Sequence, residues 1–499
     1  MGLLTSRVLK CRESSPVEPQ PEEVTAGPSC LSGSRKRKLS TSENLAPSSD
    51  IHGPQNQGMS LHKVLNYIYR KRAKISSNYA YENLFLNGND SDIKIRARRR
   101  TWCLHKVFLC QSGYFANVLK GTWKESHNIV IKLVIKNEDI DARSLHFVFG
   151  SLYTDEDLSL TPVEVPHVLA AACLLQVDRV IWQCEETMKT TINRNTVCSY
   201  YMAAETYRLK VVKTRCFEWL LYNLMIHPSV ALYREVDMKL MYLLGSSSDL
   251  LVLQKEIDVY TTLKTWMFLH LNPCWNGTMI QLLDHTNSWL SNYMECIDDN
   301  SFLESEEGLI FQPVFKKLRF QHIICDLAST SILEQDRLIP LEWLSPIYKQ
   351  QWLTLMQAQE YGAIGPQAIN EEELEECTMR CGKIIPKDGR YTWKWLACRF
   401  GFPLRVTFNN HCVIFRQRCQ ECDGSACKNH IRNVLYRITL VCFDSNEKVT
   451  FRKTTGYKIL PFEYNEEQIV MKLDSEVLTF PLYIFGNFLF VNLANAENK

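Results

Sequence analysis

The first regular pattern of apolar and polar residues along the chain is that of a strand. Ser91–Ile95 alternates, as a half-buried strand does, and the basic segment Arg96–Arg100 separates it from Trp102–Leu104, a candidate hairpin partner. We expect these arginines to be solvated at the hairpin tip. Apolar spacing then predicts a helix, a strand and two more helices, at 108–119, 129–133, 145–152 and 168–175.

The middle of the chain has helical periodicity throughout. It extends over 193–275 and returns over 311–352, with apolar residues on one face of each predicted helix. The acidic segment 361–378 follows, and we interpret it as a linker. The aromatic and methionine positions of the helical part are better explained as core than as a cofactor pocket.

Strand periodicity dominates the last part of the chain. Tyr391–Trp395 and Leu404–Phe408 alternate, and we place turns at Asn409-Asn410, Ser445-Asn446 and Gly486-Asn487. Several short strands at regular spacing predict an antiparallel, sandwich-like β domain over 379–499. The fold class is therefore an α+β multidomain protein, with an α/β domain, an all-α domain and a C-terminal β domain.

Length and composition agree with this division. A chain of 499 residues is long enough for about three domains, and 45% hydrophobic residues supply their cores. The formal charge of +2 gives no reason to expect direct nucleic-acid binding. Without a membrane-length apolar stretch or a secretory signal, we expect an intracellular protein whose 19 cysteines are reduced.

Residues 1–58 differ sharply from this average. They contain six prolines, ten serines and no aromatic residue, a composition typical of a disordered arm. Residues 1–75 hold 12 Lys and Arg against 6 Asp and Glu, so the chain begins with a basic portion. The rest of the chain offsets most of that positive charge.

Two short signals lie on the arm. Arg35, Lys36, Arg37 and Lys38 form a dense basic run, which is typical of a nuclear import signal; the alternative is a plain solvated patch. Gly2 begins a pattern for N-myristoylation, and one acyl chain would need nearby basic residues for stable anchoring. Together they predict a nuclear location at a membrane face.

Five spaced motifs resemble a BTB/POZ domain, within a predicted domain of 59–190 that includes a leading helix: SDIKI, LHKVFLCQSGYFANVL, WKES, FGSLYTD and AAACLLQVDRVIWQCEETM. The resemblance implies homodimerisation and, as in many such domains, docking of the cullin-3 scaffold of a ubiquitin ligase. It also implies that His105 is a structural residue at a strand-to-helix junction, not a catalytic or metal-binding histidine.

The resemblance assigns cullin docking to two residues. The family's motif is a hydrophobic residue, any residue and a glutamate, and Trp123 and Glu125 occupy its place. A large exposed aromatic buries about 150–250 Å² against a partner and often anchors an interface. The alternative is that Trp123 folds back over its own helix.

Residues 191–360 resemble the BACK domain that follows BTB in ubiquitin-ligase adaptors, with the segments TVCSYYMAAETYRLKVVKTRCFEWL and QKEIDVYTTLKTWM. This resemblance implies a helical stalk that spaces the substrate-binding end away from the cullin end. Kelch repeats of about 50 residues often follow such a domain, but no such period is found here.

One cysteine cluster lies between two predicted strands. Cys419, Cys422, Cys427 and His430 offer three thiols and an imidazole, the ligands that zinc prefers. The alternative is a polar hairpin loop with free cysteines, and the spacing fits no zinc module well. We therefore expect no cofactor, with zinc as the minor reading.

The whole arrangement resembles the germ cell-less family over nearly the full length, in segments that include GSLYTDEDL, GSSSDLLVLQKEIDVYTTLKTWMFL and WLSPIYKQQW. The resemblance implies association with the nuclear envelope, nuclear matrix and lamina-associated proteins, and a role in germ-cell formation and spermatogenesis. It also implies recruitment of substrates to cullin-3.

No motif of an enzyme active site was found: the phosphate-binding, dinucleotide-binding, zinc-protease and nucleophile-elbow patterns do not occur. We therefore expect a non-catalytic adaptor of a cullin-3 ubiquitin ligase that dimerises and recruits protein substrates through its β domain. The alternative is a nuclear-envelope scaffold or transcriptional corepressor that transfers no ubiquitin.

Overall fold

The computed structural model describes residues 79–120, 129–295, 300–361, 365, 370–396, 403–417, 432–462, 466–473 and 478–491. These residues form an α/β domain, a helical domain and two antiparallel β-sheets, which confirms the predicted α+β multidomain fold class.

The α/β domain begins with a π-helical segment, Ala80–Leu86. Its strands are β1 (Ile93–Ala97), β2 (Arg100–Leu104) and β3 (Val130–Lys132), with β1 in the centre, antiparallel to β2 and parallel to β3. Residues on β1 alternate between buried and exposed, as the sequence pattern predicted. Five helices complete the domain: α1 (Lys106–Leu109), α2 (Gly113–Lys120), α3 (Ala142–Ser151), α4 (Val165–Leu175) and α5 (Asp178–Thr191).

The arginines of the β1–β2 hairpin tip are exposed, as expected, and one of them also connects the tip to the rest of the domain. Arg98 and Arg99 adopt positive φ angles of 46° and 61° at the turn. The Arg98 guanidinium donates to the carbonyl oxygen of Ile140 at 2.8 Å and to that of Asn137. These bonds connect the hairpin to the segment that leads into α3.

Ten α-helices follow in the described part of the chain: α6 (Val197–Thr206), α7 (Lys210–Asn223), α8 (Val230–Glu235), α9 (Met238–Ser246), α10 (Glu256–Leu271), α11 (Met279–Glu295), α12 (Gln312–Phe315), α13 (Phe320–Ile323), α14 (Leu327–Asp336) and α15 (Leu341–Tyr361). Helix α10 is buried on nearly every side, including Trp266, whose indole donates to the carbonyl of Val236 at 2.9 Å. A helix with buried residues on nearly every side belongs in a core, so α10 is the centre of this domain.

The acidic segment that we interpreted as a linker contains a helix, α16 (Glu371–Cys377). It is held by the helical domain: Arg319 donates to the carbonyls of Glu375 and Thr378, and Lys317 pairs with Glu376 at 3.2 Å. The His322 ring contacts the carbonyl of Cys377 at 2.6 Å. Residues 375–378 therefore contact the helical domain.

Nine strands form the C-terminal sandwich: β4 (Met379–Ile385), β5 (Tyr391–Leu396), β6 (Pro403–Asn409), β7 (Cys412–Gln417), β8 (Arg432–Phe443), β9 (Val449–Thr454), β10 (Lys458–Phe462), β11 (Glu467–Lys472) and β12 (Leu482–Val491). The inner sheet has the order β10-β8-β12-β4, with β9 also on β8, and the outer sheet has the order β11-β7-β6-β5. The two sheets pack through residues such as Trp395, Phe408, Phe415, Leu440 and Phe488.

The inner sheet lies between the outer sheet and the helical domain. Its other face packs Tyr483 and Phe485 against Tyr222, Ile226 and Leu251 of the helical domain. All ten residues of β12 are buried in consequence. A strand that is covered on both faces has a nearly continuous run of apolar residues in its sequence, and β12 has this pattern.

The predicted turn at Gly486-Asn487 is wrong, because both residues lie in the middle of β12. A Cβ on Gly486 would lie 3.0 Å from the Trp395 ring, so glycine gives this ring space to pack on the strand. The Asn487 amide donates to the carbonyl of Ser248 at 2.9 Å. The two residues therefore serve packing and interdomain contact, although their types are typical of turns.

The sandwich also contacts the region where the α/β domain ends. The turn between β8 and β9 brings Lys448 to the carbonyl of Thr190, at 2.7 Å, and pairs Glu447 with Arg194. Thr190 is in the last turn of α5. The chain therefore folds back, and one side of the sandwich lies against the junction of the first two domains.

A buried ion pair joins the helical domain to the inner sheet. Arg380 of β4 and Glu256, the first residue of α10, form a two-fold contact in which Nε donates to Oε2 at 3.0 Å and Nη2 donates to Oε1. Their side chains are 1% and 0% exposed. Arg380 Nη1 also donates to the carbonyls of Gly245 and Ser247, each at 2.9 Å, so the guanidinium is well satisfied.

Electrostatics keep this carboxylate charged. Burial would raise the pKa of Glu256, but the charge and hydrogen bonds of Arg380, with a smaller contribution from Arg319, lower it below the ordinary value of 4.5. Burial and the neighbouring Arg380 charge lower the pKa of Arg319 to about 9, so that guanidinium still carries its proton at neutral pH.

We predict that Glu256→Gln destabilises the protein by about 3–5 kcal/mol, because it leaves the buried Arg380 charge without its partner. Urea unfolding of the full chain measures this, and Glu307→Gln, at an exposed glutamate, is the matched control that should change stability by less than about 0.5 kcal/mol. Equal unfolding free energies for the wild type and Glu256→Gln would show that the ion pair does not stabilise the folded protein.

The same pair predicts a pH dependence. Because the folded state lowers the pKa of Glu256, the unfolded state binds the proton more readily, and the pair's contribution is fully present only well above pH 4.5. This contribution to stability is lost as the pH falls through the lower pKa that Glu256 has in the folded state. In wild type, urea stability measured from pH 7 downward should therefore decline more steeply below pH 4.5 than in Glu256→Gln.

A glycine marks the closest approach of the two domains. A Cβ on Gly382 would lie 2.0 Å from the carbonyl oxygen of Val252, so Gly382→Ala must push β4 away from the helical domain. We predict a loss of about 1–3 kcal/mol in urea unfolding. Gly245→Ala in α9 is the control: a Cβ there meets nothing within 4 Å, and stability should stay equal or rise. Identical losses in both variants would contradict this account of the interface.

Candidate partner-binding surfaces

The predicted docking residues Trp123 and Glu125 lie outside the described residues, but both ends of their segment are defined. Helix α2 ends at Lys120, and the chain is described again from Ile129, just before β3. The core anchors α2 through Phe115, which is fully buried, and Ser112, which donates to the carbonyl of Leu175 on α4. Helix α2, which precedes the segment, is therefore anchored in the domain core.

Apolar side chains are exposed beside this segment. Ile129 and Val134 are 68% and 79% exposed, on either side of β3, and Val130 is 40% exposed. β3 is an edge strand of its sheet, and Lys132 on the same strand is exposed as well. An apolar group rimmed by charge is typical of a protein-binding surface.

His105 occupies a structural position, as the resemblance implied. It precedes α1, is 8% exposed, and places Nδ1 3.1 Å from the Tyr153 hydroxyl and Nε2 2.8 Å from the carbonyl of Asn89. Burial raises the pKa of Tyr153 well above its usual value, so this hydroxyl stays protonated. Both ring nitrogens of His105 are thus engaged in holding β2, α1 and the end of α3 together.

A cleft with a volume of about 660 Å³ lies in the α/β domain, between the π-helical segment, β2, α3 and α4. His146 lies in it and accepts from the Trp102 indole at 3.2 Å. Burial, then the charge of Arg100, lowers the pKa of His146, so its ring is neutral at pH 7. With Asp141 and His167 also lining it, the cleft has mixed polarity.

The face of the outer sheet that points away from the sandwich core is the second surface. Lys394 and Ile469 are exposed there, while Arg405, Thr407 and Arg416 are partly exposed. Cations from three neighbouring strands lie side by side on it, because the register places Lys394 opposite Arg405 and Arg405 opposite Arg416. The sequence analysis did not predict this group. The available sign was that each cation occupies a polar position in a strand of alternating apolar and polar residues.

The remaining predicted site residues are outside the described part of the chain: Gly2, Arg35, Lys36, Arg37, Lys38, Cys419, Cys422, Cys427 and His430. Among the residues that the structure does describe, no group of three or more potential ligands is arranged to hold a metal ion. Within the same residues, no helix has both the length and the hydropathy for a membrane crossing.

Comparison with known proteins agrees with the first domain's geometry. A family model described as the BTB/POZ domain matches residues 81–192, from the π-helical segment to the end of α5. The match includes the three strands and five helices of the α/β domain and both ends of the Trp123–Glu125 segment.

Three relatives extend the similarity beyond that domain. The chain is 79% identical to mouse Germ cell-less protein-like 2 over 100% of both chains. It is 49% identical to human Germ cell-less protein-like 1, covering 86% of this chain and 84% of the relative. It is 31% identical to the fruit fly protein germ cell-less, covering 94% of this chain and 84% of the relative.

Proposed function

The chain belongs to the germ cell-less family, and we propose that it is the non-catalytic, substrate-recruiting adaptor of a cullin-3 ubiquitin ligase. The observation that supports this most is the fixed arrangement of a BTB domain and a separate β sandwich on one helical domain. Such an arrangement offers one surface to the ligase scaffold and another to a target.

The cullin side of the proposal rests on the segment after α2. Trp123 supplies the aromatic anchor and Glu125 the acceptor for a basic or hydrogen-bonding partner group. The exposed Ile129 and Val134 would widen the contact, since apolar side chains around an anchor exclude water from it. We further propose that the BTB domain forms a homodimer, so that one assembly carries two cullins and two targets.

The target side rests on the sandwich. Its inner sheet is covered by the helical domain, so the face left for a partner is that of the outer sheet, together with the loops at its edges. Because β4 is fixed by the Arg380–Glu256 pair, a protein bound there would be held in a defined position relative to the BTB domain. Defined placement of a target raises the effective concentration of its lysines at the ligase.

For location, we propose the nucleus, with Arg35–Lys38 as the import signal and the nuclear matrix or inner nuclear envelope as the site of action. Myristoylation of Gly2 would add membrane affinity there, and the basic cluster at Arg70–Lys74 would supply the second signal that a single acyl chain needs. Lamina-associated proteins are the expected neighbours, and germ-cell development with spermatogenesis is the expected setting.

We predict that Trp123→Ala combined with Glu125→Ala reduces cullin-3 co-precipitation at least about tenfold, because an interface loses its anchor and its charged contact. Trp352→Ala is the matched control, since Trp352 is 61% exposed on α15 in the helical domain. If the double variant still captures cullin-3 like the wild type, the docking assignment is wrong. Partner levels that stay constant under proteasome and cullin inhibition would instead favour a scaffold or corepressor.

Replacement of Arg35–Lys38 by alanines should move the protein from the nucleus to the cytoplasm, because the import receptor's acidic groove needs that run of charge. Microscopy of the tagged full-length chain measures this. Alanines at Arg70, Lys71, Arg72 and Lys74, which remove the same formal charge, are the control and should leave the protein nuclear. Nuclear staining that is unchanged by the first replacement would refute the signal.

A further inference from the structure

The outer sheet carries a row of three cations on its solvent face, which we call the basic row: Lys394, Arg405 and Arg416. They belong to β5, β6 and β7, and each lies directly opposite the next in the strand register. Side chains in such positions have Cβ atoms about 4.5–5.5 Å apart. The row therefore crosses the middle of the sheet as a continuous line of positive charge.

The fold gains little from this row. Like charges directly opposite each other on antiparallel strands are destabilising. Its one ion pair among the described residues joins Arg416 to Glu467 of β11, at 2.8 Å, with both side chains substantially exposed. Within the same residues, the Nε of Arg416 is buried and has no hydrogen-bond partner. Within the described residues, Lys394 and Arg405 thus have no ion pair, although Lys394 is exposed and Arg405 is partly exposed.

A second row runs beside the basic row on the same face. Thr392, Thr407, Ile414 and Ile469 lie opposite one another on the same strands. The two threonine hydroxyls are hydrogen-bonded at 3.1 Å, and Ile469 is 53% exposed. The face thus combines a line of cations with a neighbouring strip that ends in two aliphatic side chains.

We propose that these two rows bind an acidic peptide segment of the recruited substrate. Carboxylate or phosphate groups of that segment would accept hydrogen bonds from Arg405 and Arg416 and pair with Lys394, since guanidinium groups match such anions with two parallel bonds. An aliphatic residue beside the acidic ones would pack on Ile414 and Ile469. This inference rests on the proposed function, whose target-binding side it specifies.

A peptide fits this face better than a nucleic acid does. Proteins that bind single strands stack the bases on aromatic side chains, and the two rows contain none. Glu467 at the end of the basic row would also repel a continuous phosphate backbone. A short peptide can place its acidic residues over the three cations and avoid that carboxylate.

The test is fluorescence anisotropy with the purified full-length chain and labelled short peptides. One peptide contains glutamates around an isoleucine, a second has phosphoserine in place of glutamate, a third has glutamine, and a single-stranded oligothymidylate is the fourth probe. The triple variant Lys394→Gln/Arg405→Gln/Arg416→Gln should bind the acidic peptides at least about tenfold more weakly, because three charge pairs are lost. Affinity of the wild type should fall as salt rises.

The matched control removes three exposed cations of the inner sheet and its edge: Lys383→Gln/Lys387→Gln/Lys458→Gln should bind like the wild type. The melting temperature of the basic-row variant should be equal or higher, because repulsion along the row is relieved. The single change Arg405→Gln, at the centre of the row, should also weaken binding of the acidic peptides, and it changes the surface of the sheet less than the triple variant does.

Preference for the glutamate or the phosphoserine peptide identifies the anionic group, and either one supports the proposal. A wild type that binds neither peptide, equal losses in both triple variants, or tighter binding of the oligothymidylate would overturn it. Because the assay contains no cullin, it is independent of the Trp123 and Glu125 result. Conversely, the basic-row variant should still co-precipitate cullin-3.

Discussion

The ion pair of Arg380 and Glu256 is the contact on which the relation between the domains depends. It has almost no exposure to solvent, and it joins the first residue of the central helix α10 to the first strand of the sandwich. Isolated charges at such depth are costly, so the pair forms only when both domains are in place. The pair therefore makes one relative position of the two domains much more favourable than others.

Other contacts strengthen the same position. Apolar packing of Tyr483 and Phe485 covers the inner sheet, and Arg437 binds Asp249 at 2.8 Å close by. At the far side, the β8–β9 turn reaches Thr190 and Arg194 where the BTB domain ends. The sandwich is thus attached at two separated places, which resists rotation better than one place would. Its outer sheet has one face that points away from the helical domain.

The sequence was most informative where local periodicity decides structure. Alternation predicted β1, β5 and β6, and helical spacing predicted α3 and α4, because a half-buried strand or helix shows its face in the sequence. Gly486 misled the turn prediction, since its role is to make space for Trp395, a residue about ninety positions earlier. This role of Gly486 depends on a tertiary contact, so the neighbouring sequence gives no sign of it.

The candidate sites divide in the same way. The Trp123 motif stays a prediction that the BTB resemblance made, whereas no sequence pattern predicted the basic row, because its members are far apart in sequence and meet only through strand register. The same holds for the Arg380–Glu256 pair. The sequence shows a charged residue, Arg380, within an apolar strand, but it does not show that the partner is Glu256, more than a hundred residues away. Long-range pairing of charged residues is what the sequence leaves open.

The central claim is that the sandwich and the BTB domain are held in one fixed relation. Single-molecule energy transfer between dyes on unnatural amino acids at the exposed positions Glu156 and Lys387, with one labelled protomer per dimer, measures this distance in the full-length protein. The account predicts a single narrow distance distribution, which broadens in Glu256→Gln. A broad or multiple distribution in the wild type would contradict it.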